Sequence, residues 1–154
     1  MITTRQNGKE WIRSAEFHIC VFGHLCTRIN VEPNRKGLKS KKMNIETFIR
    51  NWIATSNAFD RDKYLSFYLP DAVLEDASLR RKFEGHKGIQ HYFDRYFIGF
   101  NTHTEQVRLI VINQQNTHLE VLFTGDFPEG TIRGAFEFKF DNDKIALVKA
   151  DLIH

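Results

Sequence analysis

The sequence predicts an α+β domain in which helices come first and a meander of long antiparallel strands follows. Three observations predict it. Apolar residues recur at helical spacing over 45–53 and again over 89–100. The period falls to two at 72–77 and through most of the last fifty residues. Basic charge is concentrated in the first 42 residues, which hold 9 Lys/Arg against 3 Asp/Glu and leave 13 against 16 for the rest. With 154 residues, a hydrophobic fraction of 42% and 14 Phe, the chain can fill one core of ordinary size.

The first helix carries Ile45, Phe48, Ile49, Trp52 and Ile53 as one stripe, with Asn44 as its cap and Glu46 suiting the dipole of its first turn. Asp60 caps a second, shorter helix bearing Tyr64, Leu65 and Tyr68, which Pro70 stops. Strand alternation then sends Ala72, Leu74 and Asp76 one way and Val73, Glu75 and Ala77 the other. After a turn over 78–81, Phe83 lies on a short return strand. A third helix from about His86 presents Ile89, Tyr92, Phe93, Tyr96, Phe97 and Phe100. Four strands follow at 106–113, 117–127, 131–140 and 145–153. The helices are expected to cover one face of a curved sheet. On the other face, Ile145 and Leu147 stand opposite Val148, Ala150 and Leu152, an apolar patch suited to a homodimer.

Residues 1–42 read as a basic leader outside the fold, poorly structured, ahead of a domain over 43–154. Its charges mostly follow a broken apolar stretch at 17–22, the wrong order for a secretory signal, and Glu10, Glu16 and Glu32 argue against a mitochondrial presequence. A cytoplasmic location is the expectation. Met43 directly follows the basic run and directly precedes the first helix, so it is a candidate for the natural start. His18, Cys20, His24 and Cys26 include zinc-ligating types, but their interleaved spacing does not match a zinc site and they read as incidental, so no metal is expected. The net negative charge of the domain weakens a nucleic-acid reading. No run reaches the roughly 18 apolar residues of a membrane span. Neither a dinucleotide fingerprint nor a Gly-rich phosphate loop is present, and no cofactor is expected.

Three stretches are diagnostic: Asn57-Ala58-Phe59-Asp60, Phe67 through Asp76, and Phe83-Glu84-Gly85-His86-Lys87-Gly88-Ile89-Gln90-His91-Tyr92-Phe93. Together with the element order they resemble the SnoaL-like, ketosteroid isomerase-related branch of the nuclear transport factor 2-like superfamily over about residues 44–153. The resemblance implies a cone-shaped sheet packed on three helices, with a half-open cavity between them, usually in a homodimer paired through sheet faces. It places Asp76 at the position of the isomerase's proton-shuttling acid. Trp52 falls where that enzyme has an oxyanion-binding Tyr, and Phe136 where it has a second acid. Steroid isomerisation by the same constellation is therefore not expected, since Phe donates no hydrogen bond.

A carboxylate facing an apolar cavity loses hydration, and such a group can take a proton from carbon next to a carbonyl if the oxyanion is stabilised. Asp76 is accordingly the candidate catalytic acid/base. The alternative is a carboxylate that caps a turn or pairs with Arg80 or Arg81. Trp52, Tyr68, Phe93, Phe97, Phe136 and Phe138 are candidate ligand-binding residues, either cavity walls or plain core, and His103, in the loop before a strand, is a candidate at the cavity rim. The function expected is cofactor-free isomerase, cyclase or hydratase chemistry on a small hydrophobic carbonyl compound. A non-catalytic ligand-binding or dimerisation module of the same fold is the alternative.

Overall fold

In the computed structural model, which describes residues 41–154, the first helix α1 spans Ile45–Asn57 and begins where the cap places it: the Asn44 side chain accepts from Thr47 N at 2.9 Å. The expectations about the leader, including His18, Cys20, His24 and Cys26, lie outside the described residues apart from Lys41 and Lys42. Asp60 caps α2, Arg61–Ser66, by accepting from Lys63 N at 3.1 Å. Here the structure corrects the sequence reading. The helix ends before Tyr68, because the Phe67 carbonyl accepts from Ile145 N at 2.9 Å and draws the chain into the sheet. Tyr68 therefore opens strand β1, Tyr68–Asp76, and Pro70 sits inside that strand. Pairing with the last strand is interrupted between Tyr68 and Val73, where a residue without an N–H does no harm.

Strand β2, Arg81–Glu84, returns antiparallel to β1. Helix α3, Gly85–Tyr92, follows directly, and its last turns widen into a π-helical segment, Phe93–Ile98, where the sequence predicts one continuous helix. The remaining strands are β3 (His103–Val111), β4 (Asn116–Thr124), β5 (Thr131–Asp141) and β6 (Lys144–Ile153). The sheet order is β2-β1-β6-β5-β4-β3, so β6 lies between β1 and β5. The β1–β6 pairing is parallel, which makes the sheet mixed rather than wholly antiparallel.

Two further corrections concern side-chain direction. Ile145 faces the core at 0% exposure, not the outer surface, because a register shift between Lys139 and Phe140 puts an extra residue into β6 and turns Ile145 to the same side as Val148. The β3 strand starts at His103, three residues earlier than its apolar run suggests. As an edge strand it exposes Val107, Ile110 and Val111. The other faces behave as the alternation requires: Leu119, Val121 and Phe123 of β4 and Phe136, Phe138 and Phe140 of β5 are all buried.

Helices α1 to α3 lie over one face of the sheet with the core between them. The Asn57 side chain clamps α1 to the sheet edge, its Nδ2 donating to Thr104 O at 2.9 Å and its Oδ1 accepting from Thr104 N at 2.7 Å, much as a neighbouring strand would. Gly88 lets α3 approach β2. A Cβ there would stand 2.8 Å from the Phe83 carbonyl carbon and 3.1 Å from its Cα, and backbone cannot swing aside as a side chain can. Gly88→Ala is expected to cost about 1–3 kcal/mol despite alanine's better helix propensity, lowering the thermal midpoint by several degrees. An unchanged melt would show that helix and strand have room between them.

Candidate functional site

The site is built at the end of β1. Alternation turns Asp76 toward the helix-covered side, where it is 7% exposed. The chain then reverses through Ala77–Arg80, closed by Arg80 N donating to Ala77 O at 3.2 Å. Asp76 Oδ1 accepts from Ser78 Oγ at 2.6 Å and from Leu79 N at 2.9 Å, so the acid caps its own turn. Its other oxygen, Oδ2, accepts from the Tyr92 hydroxyl at 2.9 Å. The carboxylate is thus held in one orientation by three donors from two elements. Neither Arg80 nor Arg81 forms an ion pair with it among the described residues.

The π-helical segment shapes the wall beside it. Its wider turn brings Tyr92 over Phe97, with ring centroids 6.1 Å apart, and leaves Tyr96 and Phe97 both facing the hollow. The far wall comes from the β4–β5 loop. Asp126 N donates to Phe100 O at 2.7 Å and anchors that loop, while a Cβ at Gly125 would stand 2.7 Å from the same carbonyl. Glycine is what allows the close approach that sets Phe127 against Phe100 at 5.6 Å between centroids.

These elements enclose a cavity of about 180 Å³. Asp76, Ser78 and Leu79 form its floor. Tyr92, Tyr96 and Phe97 rise from the helix, Phe100 and Thr102 from the loop after it, and Phe123, Phe127, Ile132 and Leu152 from the late strands and their connection. An apolar hole of roughly 150 Å³ holds benzene, whereas drug-sized ligands need roughly 300 Å³ or more. The space therefore suits a single ring with small substituents. Among the described residues there is no group of three His, Cys, Asp or Glu positioned to hold a metal ion.

The structure brings Asp76 and Phe97 together on this cavity and places the other expected residues elsewhere. Trp52, Tyr68, Phe93, Phe136 and Phe138 are solid core, none more than 2% exposed, and none lines the cavity. Trp52 meets Phe136 and Phe138 edge-on at 5.3 and 5.2 Å. Its ring N–H donates to the Tyr68 hydroxyl at 3.2 Å, which in turn donates to the Tyr64 hydroxyl at 2.9 Å. The indole N–H is therefore committed inside the core and is no free donor to a ligand. His103 is exposed at the start of β3, since alternation turns its neighbours Thr102 and Thr104 inward. The residues that sequence reasoning missed are chiefly Tyr92 and Tyr96. The signal was present in the third-helix stripe, where these two tyrosines put hydroxyls among Phe93, Phe97 and Phe100.

Burial raises the Tyr92 phenol well above its usual range, and the negative charge and accepted hydrogen bond of Asp76 push it further the same way. Tyr64 is raised chiefly by burial and then by Tyr68, and Tyr68 itself is raised by burial. Folded values above the unfolded value of about 10 confer stability that is fully present below about pH 10 and is lost as pH rises through the folded values, because the unfolded chain releases its phenolic protons first. Of the chain's 4 Tyr, these three are expected to ionise only together with unfolding in alkali. Phenolate absorbance followed alongside near-ultraviolet circular dichroism measures this. Ionisation of all four ahead of the dichroism change would contradict the burial.

No helix among the described residues is long and apolar enough to cross a membrane. Among solved structures, the fold is similar to that of a proposed polyketide cyclase from Sinorhizobium meliloti, with a TM-score of 0.62 and 17% identity over 68% of this chain and 93% of that one. It is also similar to a proposed ketosteroid isomerase from Kribbella flavida, with a TM-score of 0.62 and 12% identity over 70% and 76%. A third likeness is to a Mycobacterium tuberculosis protein in complex with estradiol-17beta-hemisuccinate, with a TM-score of 0.61 and 14% identity over 68% and 90%. At these identities the likeness is one of fold. No curated protein matches the sequence. The family model described as the SnoaL-like domain matches residues 49–148, so the chain belongs to the SnoaL-like domain family.

Proposed function

We propose that this protein is a cofactor-free acid–base enzyme, an isomerase, cyclase or lyase acting on a small hydrophobic carbonyl compound, with Asp76 moving the proton. The observation that carries the reading is a carboxylate fixed by three hydrogen bonds on the floor of an apolar cavity of single-ring size. A base held in one orientation next to a substrate carbon replaces a bimolecular encounter with a positioned one. Asp76 would take the proton from carbon beside the carbonyl and return it elsewhere, or keep it while a leaving group departs. Tyr92 is a positioning residue, since its hydroxyl proton is already given to Asp76. Tyr96 lines the same cavity and its hydroxyl makes no hydrogen bond among the described residues, so it is the proposed donor to the developing oxyanion. The likeness to a proposed polyketide cyclase and a proposed ketosteroid isomerase supports this class of chemistry.

Non-catalytic binding of the same compounds is the second reading. It is favoured by the engagement of both Asp76 oxygens with the protein's own donors. The two readings separate on one measurement: hydrogen–deuterium exchange next to the carbonyl of small cyclic ketones, followed by NMR with the full chain in heavy water. Catalysed exchange is expected for at least one member of a panel. Binding of several members with exchange no faster than in buffer would leave only the second reading.

The proposal carries with it a cytoplasmic location and a homodimer paired through the outer sheet face. On that face Leu122, Ala135 and Leu147 are only half-buried and lie among the polar side chains of His118, Glu120 and Arg133. Sedimentation at a single-chain mass across micromolar concentrations would remove the dimer.

A further inference from the structure

We infer that the Asp76 cavity selects ligands bearing a positively charged amine nitrogen; this deepens the proposed function by naming a substrate class, and it rests on the same cavity being the ligand site. The charge balance of the lining points there. Asp76 is its one carboxylic acid, and among the described residues the lining contains no Lys, Arg or His. The three donors that hold the carboxylate, a serine hydroxyl, a backbone N–H and a tyrosine hydroxyl, are all neutral. They occupy three of its roughly four acceptor sites without cancelling its charge, which leaves Oδ2 able to accept from a guest. A buried anion without a counter-ion attracts a cationic guest and repels an anionic one.

The walls point the same way. Rings follow one another around the hollow in an unbroken series. Phe127 meets Phe100 at 5.6 Å, Phe100 meets Tyr96 at 6.5 Å, Tyr96 meets Tyr92 at 5.1 Å, Tyr92 meets Phe97 at 6.1 Å, and Phe97 meets Phe123 edge-on at 6.0 Å. Aromatic faces are negative and attract an ammonium within about 6 Å of the ring centroid, most strongly where water is excluded. A carboxylate in a hollow lined by aromatic rings has the chemistry of an amine receptor. The cavity's size limits the guest to a single ring or a short alkyl amine. For the proposed reaction the natural substrate class is a small amino ketone. Its ammonium draws electrons from the neighbouring carbon, making that C–H more acidic, and brings it beside the carboxylate.

Three probes with one ring and three charges test this on the full chain: benzylammonium, benzyl alcohol and benzoate, measured by calorimetry and thermal shift at neutral pH. Benzylammonium is expected to bind about tenfold or more tighter than benzyl alcohol, with benzoate weakest. In Asp76→Asn the preference for the cation should fall about tenfold while benzyl alcohol changes little. Phe127→Leu, which replaces a lining ring by a somewhat smaller aliphatic side chain, should weaken the cation about threefold and the alcohol by less than about twofold. This second variant decides the matter should the first fail to fold. Equal or tighter binding of the alcohol, a cation preference that survives both substitutions, or no binding by any probe would overturn the inference. Ketone exchange in the absence of a cation preference would overturn it while leaving the proposed chemistry standing. A cation preference without exchange on any ketone would do the reverse.

Discussion

Asp76→Asn is expected to slow proton transfer in the cavity by about 10²–10⁴-fold, the usual contribution of one positioned acid–base group. The fold should survive it. The asparagine oxygen can still accept from Ser78 Oγ and Leu79 N, which hold the turn at 2.6 and 2.9 Å. Only the contact with Tyr92 changes character: an amide N–H there can donate to the phenol oxygen where Oδ2 now accepts from it. One exchanged hydrogen bond is worth about 1 kcal/mol, a shift of a few degrees in the thermal midpoint. Rate constants for ketone exchange and melting curves on the same preparation separate the two quantities. A variant that melts like the parent and still exchanges at the parent rate would end the catalytic role of Asp76. Tyr92→Phe supplies the complementary measurement, since it frees the carboxylate from one of its three donors and should slow exchange without abolishing it.

Trp52→Ala is expected to destabilise the fold by about 3–5 kcal/mol, the usual range for deleting a large buried aromatic side chain. Against a total of roughly 5–15 kcal/mol for a domain, that leaves the chain near its unfolding threshold at ordinary temperature. Trp52 is completely buried, and Tyr64, Phe136 and Phe138 pack on its ring at 5.6, 5.3 and 5.2 Å between centroids. Removing it opens a hole among rings that cannot easily collapse and takes the donor away from the Tyr68 hydroxyl. Trp52→Phe keeps much of the packing and loses the hydrogen bond, so it should cost markedly less. Urea unfolding at fixed pH measures both. A cost below about 1 kcal/mol for the alanine variant would mean that Trp52 borders open space and that the region under α1 is hollow after all.

What the sequence revealed and what it concealed follow from how local each signal is. The caps at Asn44 and Asp60 and the inward set Ala72, Leu74 and Asp76 depend on neighbours within four residues, and those are legible by eye. The parallel match of Leu74 to Val148 joins residues far apart in the chain, and nothing local announces it. The extra residue near Ile145 and the π-helical turns after Tyr92 each shift a face without altering the apolar pattern that conceals them. The candidate site shows the same division. Asp76 stands out because a carboxylate on an inward position is rare. Phe136 and Phe97 carry the same side chain, one sealed in the core and one on the cavity, and periodicity assigns both only to the interior. Telling a wall from a filling takes the third dimension.

The place of β6 has a consequence for how the protein is made. Of the six strands described, the one synthesised last joins β1 and β2 to β5, β4 and β3. Until it emerges, the nascent chain consists of two sheet fragments with unpaired borders, and the buried partners of Ile145, Val148 and Ala150 remain open to water. The sheet therefore cannot close before β6 is made, and until then its two fragments stay exposed to chaperones and to neighbours on the polysome. Deletion of Lys144–Ile153 would leave the two fragments with no strand between them.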